Sequence, residues 1–443
     1  MNLLRLSRRF HAVAVLAVAL AAASCCHKDD PDPYNRNVLI FYECGFNDLY
    51  SYLSANIDRQ LIRGYTTSDI EKKVPKSFIP GKNGNVVLIY SKIAKNTRYE
   101  PVESSLKRIY VSKGNLVTEV LRTFDSSVSA CDPSTMREVM NYAKEQFPAK
   151  GYGLVFSSHG SGWLPEGYYY SPSKFEREHA GELPASARRA PGKTWNIPVE
   201  RIEDDPYRHM VRSVGEELSA GGGRSQMSIE EFASGIPYHL DYILFDMCFS
   251  GGVELAYGLK DKADYIIGSP AEVLADGMFD YTTLLRYLLY GSSADLPGLA
   301  RNSFMMYDTV SNVTYRSATV SLIKTSGLDR LASVCKEMSG KYSASIADAP
   351  SGQVQGFFRL GRHYFYDLKD IFAKSGASAS DLDVLQGALD ACLPYKAATP
   401  SFLSEFDIRT CCGLTMYLPS NGTPLLDKYY RKEAWNDATG LVQ

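Results

Sequence analysis

Residues 240–257 read Leu-Asp-Tyr-Ile-Leu-Phe-Asp-Met-Cys-Phe-Ser-Gly-Gly-Val-Glu-Leu-Ala-Tyr, and this stretch decides the fold. Its first part is a run of aliphatic and aromatic residues, which predicts a strand buried on both faces, as in a parallel sheet. Ser250-Gly251-Gly252 breaks the run, and the part from Val253 to Tyr257 predicts a helix. Cys248 therefore falls at a strand-to-helix junction. A helix N-terminus favours negative charge and can make such a thiol a thiolate. The plainer reading is an inert core cysteine, because reactivity requires exposure and a base.

A base stands upstream. Gly153-Leu154-Val155-Phe156-Ser157-Ser158-His159-Gly160-Ser161-Gly162-Trp163 is a second apolar strand, ending on a histidine followed by small residues. Two parallel strands that end on His159 and Cys248 place both at one edge of the sheet, where open α/β folds bind ligands. A cysteine with a histidine is the minimum for thiolate catalysis.

With its trailing Gly251-Gly252-Val253-Glu254-Leu255-Ala256-Tyr257, this pair of blocks resembles the clostripain family of cysteine peptidases, relatives of caspases, gingipains and legumains. That family carries HG-x-GW on one strand and D-x-C on a later one. Weaker resemblances lie at Asn47-Asp48-Leu49, at Asp367-Leu368-Lys369-Asp370 and at residues 413–419. The resemblance implies an α/β fold: a caspase-like, mainly parallel sheet flanked by helices, with a C-terminal α+β extension.

Composition fits this. The chain has 443 residues, 45% hydrophobic and 22% charged, with a net charge of −2. Such a balance gives no reason to expect nucleic acid or an anionic membrane surface as a partner. Residues 1–24 read as a signal peptide, with Arg5, Arg8 and Arg9 before an apolar Ala12–Leu20 too short to span a bilayer. Ala22-Ala23-Ser24-Cys25 resembles a bacterial lipobox, with Ala22 where Leu is usual, and implies lipidation at Cys25. Residues 25–36 would then be a lipidated tether, and Lys28-Asp29-Asp30 resembles the export tag of surface lipoproteins. The expected location is the cell envelope, with the protein exported across the inner membrane and anchored by lipid in the outer one. Ordinary secretion is the competing reading.

Nine cysteines stand at 25, 26, 44, 131, 248, 335, 392, 411 and 412. None shows zinc-type spacing, and no disulfide can be assigned from them. The peptidase core is expected over 37–284, with strands and helices alternating as in a parallel sheet. Within it, 164–227 carries Pro, Gly, Ser and many charges with little periodicity, which marks a long insertion. In the clostripain family self-cleavage can occur between His and Cys after a basic residue, so Arg188, Arg189 and Lys193 are candidates beside a plain surface insertion. Residues 285–443 are expected as an extension packed on the core.

The resemblance implies a cysteine endopeptidase acting on protein or peptide substrates. Cys248 would attack the scissile carbonyl and His159 would move protons. The N–H groups of Gly160 and Cys248 would hold the oxyanion. The family cleaves after Arg or Lys, which implies acidic pocket groups. Asp246 shares the face of Cys248 on a strand. Asp276 lies in Asp276-Gly277-Met278-Phe279-Asp280-Tyr281, similar to a pocket-bordering turn of the family but with Met278 for its usual Trp. Structural roles compete for both: Asp246 as a holder of backbone amides, Asp276 as a turn residue beside glycine. No cofactor is implied and no metal site is identified, although some relatives respond to calcium. The alternatives are a thiol amidase or transpeptidase using the same pair, and a catalytically inactive surface-binding lipoprotein.

Overall fold

The computed structural model describes residues 35–62, 84–113, 115–184, 217–218, 224–359 and 363–443. The expected signal peptide, Cys25 and residues 26–34 of the expected tether, and Arg188, Arg189 and Lys193 lie outside the described residues; Asn35 and Arg36, expected in the tether, instead open the first strand.

Nine strands form one sheet: β1 (Asn35–Gly45), β2 (Asn85–Ile93), β3 (Ser104–Ser112), β4 (Asn115–Phe124), β5 (Ala149–Ser157), β6 (Leu240–Asp246), β7 (Ala263–Gly268), β8 (Thr319–Lys324) and β9 (Tyr395–Ala398). Their order is β9-β8-β7-β6-β5-β1-β2-β3-β4. The five central strands, β7 to β2 in that order, run parallel, and the two strands at each flank are antiparallel. The central strands are the apolar runs read from sequence. Val38 to Tyr42, Val86 to Tyr90 and Tyr242 to Asp246 are buried without alternation, as expected when helices cover both faces of a parallel sheet. Truncating a core residue such as Leu244 to alanine should cost about 2–5 kcal/mol. The hairpin β3–β4 turns at Lys113, whose φ of 50° suits a tight reversal.

Helices connect the parallel strands. α1 (Pro133–Gln146) starts at Asp132, whose carboxylate accepts the Ser134 N–H at 2.7 Å, with Pro133 in the first turn. α2 (Ile229–Gly235) begins with a capping box between Ser228 and Glu231 and packs on α1. α3 (Val253–Gly258) follows the Cys248 turn. Further on come α4 (Leu296–Asp308), α5 (Leu328–Ala347) and α6 (Ala379–Cys392). α5 packs on α6 and on the closing helix Ala434–Thr439, which itself rests on α3.

Residues 285–443 do more than pack on the sheet, since β8 and β9 extend it. One continuous apolar core runs from β1 to Trp435. The insertion is also tied down at both ends. Tyr168 and Tyr169 are buried, and the Tyr168 hydroxyl donates to Glu176 at 3.1 Å. At its far end Glu217 is buried in an ion pair with Lys92 and accepts the Ala130 N–H at 2.5 Å. Among the described residues, Cys44, Cys131, Cys248, Cys335, Cys392, Cys411 and Cys412 form no disulfide. None of the described helices is long and apolar enough to cross a membrane.

Candidate active site

The register of the parallel strands builds the site. Glu43 on β1 pairs with Ser157 on β5, and Ser157 pairs with Asp246 on β6. His159 and Cys248 each lie two residues beyond that row, at the C-terminal edge of adjacent strands. Their backbones touch: a Cβ added to Gly160 would fall 2.3 Å from the Cys248 carbonyl oxygen. Only glycine allows this approach.

A third side chain joins from β1. Asn47 folds the chain into a turn by donating to the Cys44 carbonyl at 3.0 Å and accepting the Leu49 N–H at 3.0 Å. The turn presents Asp48, whose Oδ1 lies 2.7 Å from His159 Nε2. A carboxylate accepts only, so this bond places a ring proton on Nε2 and leaves Nδ1 as the basic nitrogen of a neutral ring. Nδ1 is buried and makes no hydrogen bond among the described residues. His159 is 3% exposed while Asp48 is 37% exposed, so the pair reaches solvent through the carboxylate.

Cys248 is differently placed. The helix α3 begins only at Val253, so the thiol does not sit in its first turn, and the expected helix-terminus effect has no short path to it. Instead Sγ accepts the Val273 N–H at 3.1 Å and is fully buried. The next residue, Phe249, has φ of 53°, an uncommon left-handed conformation for a bulky side chain. The turn closes where Ser250 Oγ donates to the Met247 carbonyl at 2.9 Å and Gly251 N–H to Ser269 O at 2.8 Å.

The two carboxylates expected at the pocket meet at one turn, Asp246 reaching it from the end of β6 and Asp276 lying within it. Asp246 is buried, with Oδ1 accepting the Met278 N–H at 2.6 Å and Oδ2 the Tyr281 hydroxyl at 2.7 Å. Tyr281 also meets Ser157 Oγ at 2.8 Å. Asp276 is exposed on the turn that these bonds fix, with Gly277 at φ of 103° beside it. Burial first, and then the charge of Asp276, raises the pKa of Tyr52 on the helix Tyr50–Ser54. So Asp48 and Asp276 flank the same small helix.

Behind the site lies a firm scaffold. Glu254 of α3 is buried and accepts the Tyr417 N–H at 2.9 Å and the Tyr430 hydroxyl at 2.8 Å. Burial pushes its carboxyl up to about 7. Trp163 packs on both tyrosine rings, at 4.6 and 5.1 Å, and the Thr415 N–H donates to Gly251 O at 3.0 Å. Residues 413–419 thereby join the His and Cys blocks. Asp367, by contrast, caps the helix Leu368–Lys374 by accepting the Asp370 N–H at 2.9 Å.

A cavity of about 60 Å³ lies on the His side, lined by Ser158, His159, Gly160, Met247 and Phe232 among others. A water needs about 10–15 Å³ of such space, so the cavity has room for several. No group of three or more His, Cys, Asp or Glu among the described residues could hold a metal ion.

The model of the clostripain family, Peptidase_C11, matches residues 52–175 and 219–393. The chain belongs to the clostripain family of cysteine peptidases. It is a peptide-bond hydrolase with the caspase-like fold expected from sequence. Among solved structures it resembles an inactive zymogen C11 protease from Parabacteroides distasonis, 24% identical, covering 92% of this chain and 99% of that one at a TM-score of 0.68. A secreted C11 cysteine protease from Bacteroides thetaiotaomicron is 24% identical, covering 92% and 100% at 0.68. Another structure of a secreted C11 protease from that organism, bound to an irreversible peptide inhibitor, is 21% identical, covering 91% and 98% at 0.66. No curated protein matches the chain.

Proposed function

We propose that this peptidase cuts after Arg or Lys, with Cys248 as nucleophile and His159 as proton carrier. The observation that carries the pairing is positional. His159 and Cys248 stand two residues past register partners on adjacent parallel strands, and Asp48 fixes the imidazole. Cys248 Sγ attacks the scissile carbonyl, and the N–H groups of Gly160 and Cys248 receive the oxyanion. One such donor is worth about 3 kcal/mol of barrier. Nδ1 of His159 faces the reaction while Nε2–H stays on Asp48. Nδ1 takes the proton of the Cys248 thiol as sulfur attacks and gives it to the leaving amine; it then takes a proton from the water that attacks the thioester and returns it to the departing Cys248 thiolate.

Asp276 supplies charge for a basic side chain, and Asp246 sets the turn that carries it. This division follows from the committed oxygens of Asp246 and the exposure of Asp276. The mature protein is held at the cell envelope by lipid on Cys25, as its Ala-Ala-Ser-Cys block supports. Mass spectrometry of the membrane fraction should then find an acylated N-terminus, and soluble protein starting elsewhere would reject the anchor.

A panel of fluorogenic peptides differing only in the residue before the cut tests the specificity. Arg and Lys peptides should be cleaved at least tenfold faster than neutral ones, and Cys248→Ala should abolish turnover. A preference for Asp, Asn or an apolar residue would reject the specificity and leave the thiol mechanism standing.

A further inference from the structure

Cys248 has no accessible surface in this structure. A thiol so placed cannot meet a peptide carbonyl, so something must move. The cover is residues 269–275, the segment that leaves β7. It is stitched to the Cys248 turn by the Val273 N–H on Sγ at 3.1 Å, by Phe249 N–H on Ala271 O at 2.9 Å and by Gly251 N–H on Ser269 O at 2.8 Å. Those bonds are few and can be exchanged for water.

Glu272 lies in the middle of this cover, next to Val273. Its side chain is 0% exposed and forms an ion pair with Arg359 Nε at 3.0 Å, whose side chain is 1% exposed; the contact is one of charge, without hydrogen-bond alignment. Arg359 is 87 positions away, on the segment that follows α5. Its neighbour Phe358 packs against Phe249, the residue after Cys248, at 5.6 Å and against Tyr169 at 5.4 Å. The Tyr169 phenol feels burial first, then Glu272, Cys248 and Arg359, which brings the four groups into one neighbourhood. A buried ion pair whose partners come from different segments holds those segments together, because parting leaves each charge uncompensated in a dry site.

We propose that the Glu272–Arg359 ion pair is a latch that holds residues 269–275 shut over Cys248, and that the peptidase becomes competent when this pair parts. This rests on the reading of Cys248 as nucleophile, and regulates the same site. Closure sets access to the thiol, and the Asp48–His159 pair is left assembled in the closed state.

Alkylation of the native full chain by iodoacetamide tests the latch, read as the rate at which the Cys248 peptide gains the label. Wild type should react at least tenfold more slowly than the same thiol in the urea-unfolded chain. E272Q and R359M should each raise the native rate at least tenfold. The double variant E272Q/R359M should be no faster than the faster single one, because both remove one contact. If a single variant fails to fold, E272M/R359M gives the same readout, since apolar replacement of both partners of a buried pair is well tolerated. Folded variants labelled at the wild-type rate would overturn the latch, as would a wild-type Cys248 labelled as fast as in the unfolded chain. Labelling needs no peptidase activity. Faster labelling without peptide cleavage would keep the latch and sink the peptidase assignment of Cys248, whereas cleavage with unchanged labelling would do the reverse.

Discussion

The two halves of the site end neighbouring strands, yet they are held by different means. The His159 half is organised by side chains: Asn47 shapes a turn, Asp48 takes the Nε2 proton, and the carboxylate remains 37% exposed. The Cys248 half is organised by backbone, with Val273, Ala271 and Ser269 laid across it and no surface left. One half is ready and the other is shut. In the proposed mechanism, chemistry is assembled in advance while access is controlled separately, by a segment that contributes no reacting group.

That contrast is broken most directly at Asp48. Replacing it with Asn removes the charge that stabilises an imidazolium and lets the amide donate to the ring, which favours the wrong tautomer. General acid–base catalysis is worth about 10²–10⁴ in rate. Asp48→Asn should lower kcat for a good peptide about 100-fold with KM changed little, and iodoacetamide labelling of Cys248 should stay at the wild-type rate. Loss of labelling control in this variant would show that the two halves are one unit.

The next largest effect separates Asp246, which holds the turn, from Asp276, which lies on it. Asp246→Asn loses an acceptor for the Met278 N–H or the Tyr281 hydroxyl, and an unmade buried hydrogen bond costs about 1–3 kcal/mol. Activity on all peptides should fall about tenfold, with a lower urea midpoint. Asp276→Asn removes an exposed charge, worth at most about 1 kcal/mol. It should weaken cleavage after Arg about fivefold, leave neutral peptides unaffected and leave the urea midpoint in place. If Asp246→Asn instead changes only the Arg preference, its carboxylate faces the substrate and the division of roles is wrong.

How far the sequence reached follows from where the information sits. The parallel strands and the His159 and Cys248 blocks were legible because each is a contiguous run with its own apolar pattern. Asp48 stood in a short stretch noted only for its resemblance. Its partner lies 111 positions away, and nothing local marks an aspartate as a histidine's neighbour. The ion pair of Glu272 with Arg359 left no signal, since neither segment has periodicity and each residue alone reads as a surface charge. Strand β9, Tyr395-Lys396-Ala397-Ala398, carries little signal in the sequence because it lacks the β-branched residues that mark a strand. The chain closes on two short helices, Pro424–Tyr430 and Ala434–Thr439, and the break at Arg431 to Glu433 has no Pro or Gly to mark it in the sequence.

The smallest effect on turnover should come from Glu254, in the scaffold behind both halves, and its signature is a pH slope. Burial raises its carboxyl to about 7, and burial together with the Glu254 charge raises that of Glu433 to about 8. A folded-state pKa above the unfolded value means that the folded chain keeps a proton the unfolded chain gives up. The contribution to stability is therefore complete below the ordinary value of 4.5 and is lost as pH rises through about 7. A shift of this size corresponds to roughly 3 kcal/mol. Glutamine keeps an oxygen for the Tyr417 N–H and the Tyr430 hydroxyl but never ionises. Glu254→Gln should match wild type at pH 5 within about 1 kcal/mol, given that one buried hydrogen bond is rearranged. At pH 8 it should be the more stable of the two, with a urea midpoint that falls less steeply with pH across this window, the remaining fall coming from Glu433. Because Trp163 and Tyr417 keep their packing, the rate on an Arg peptide at pH 7 should change less than threefold. A midpoint in the variant that still falls between pH 5 and 8 as in wild type would place the slope elsewhere, with Glu433 the first group to replace.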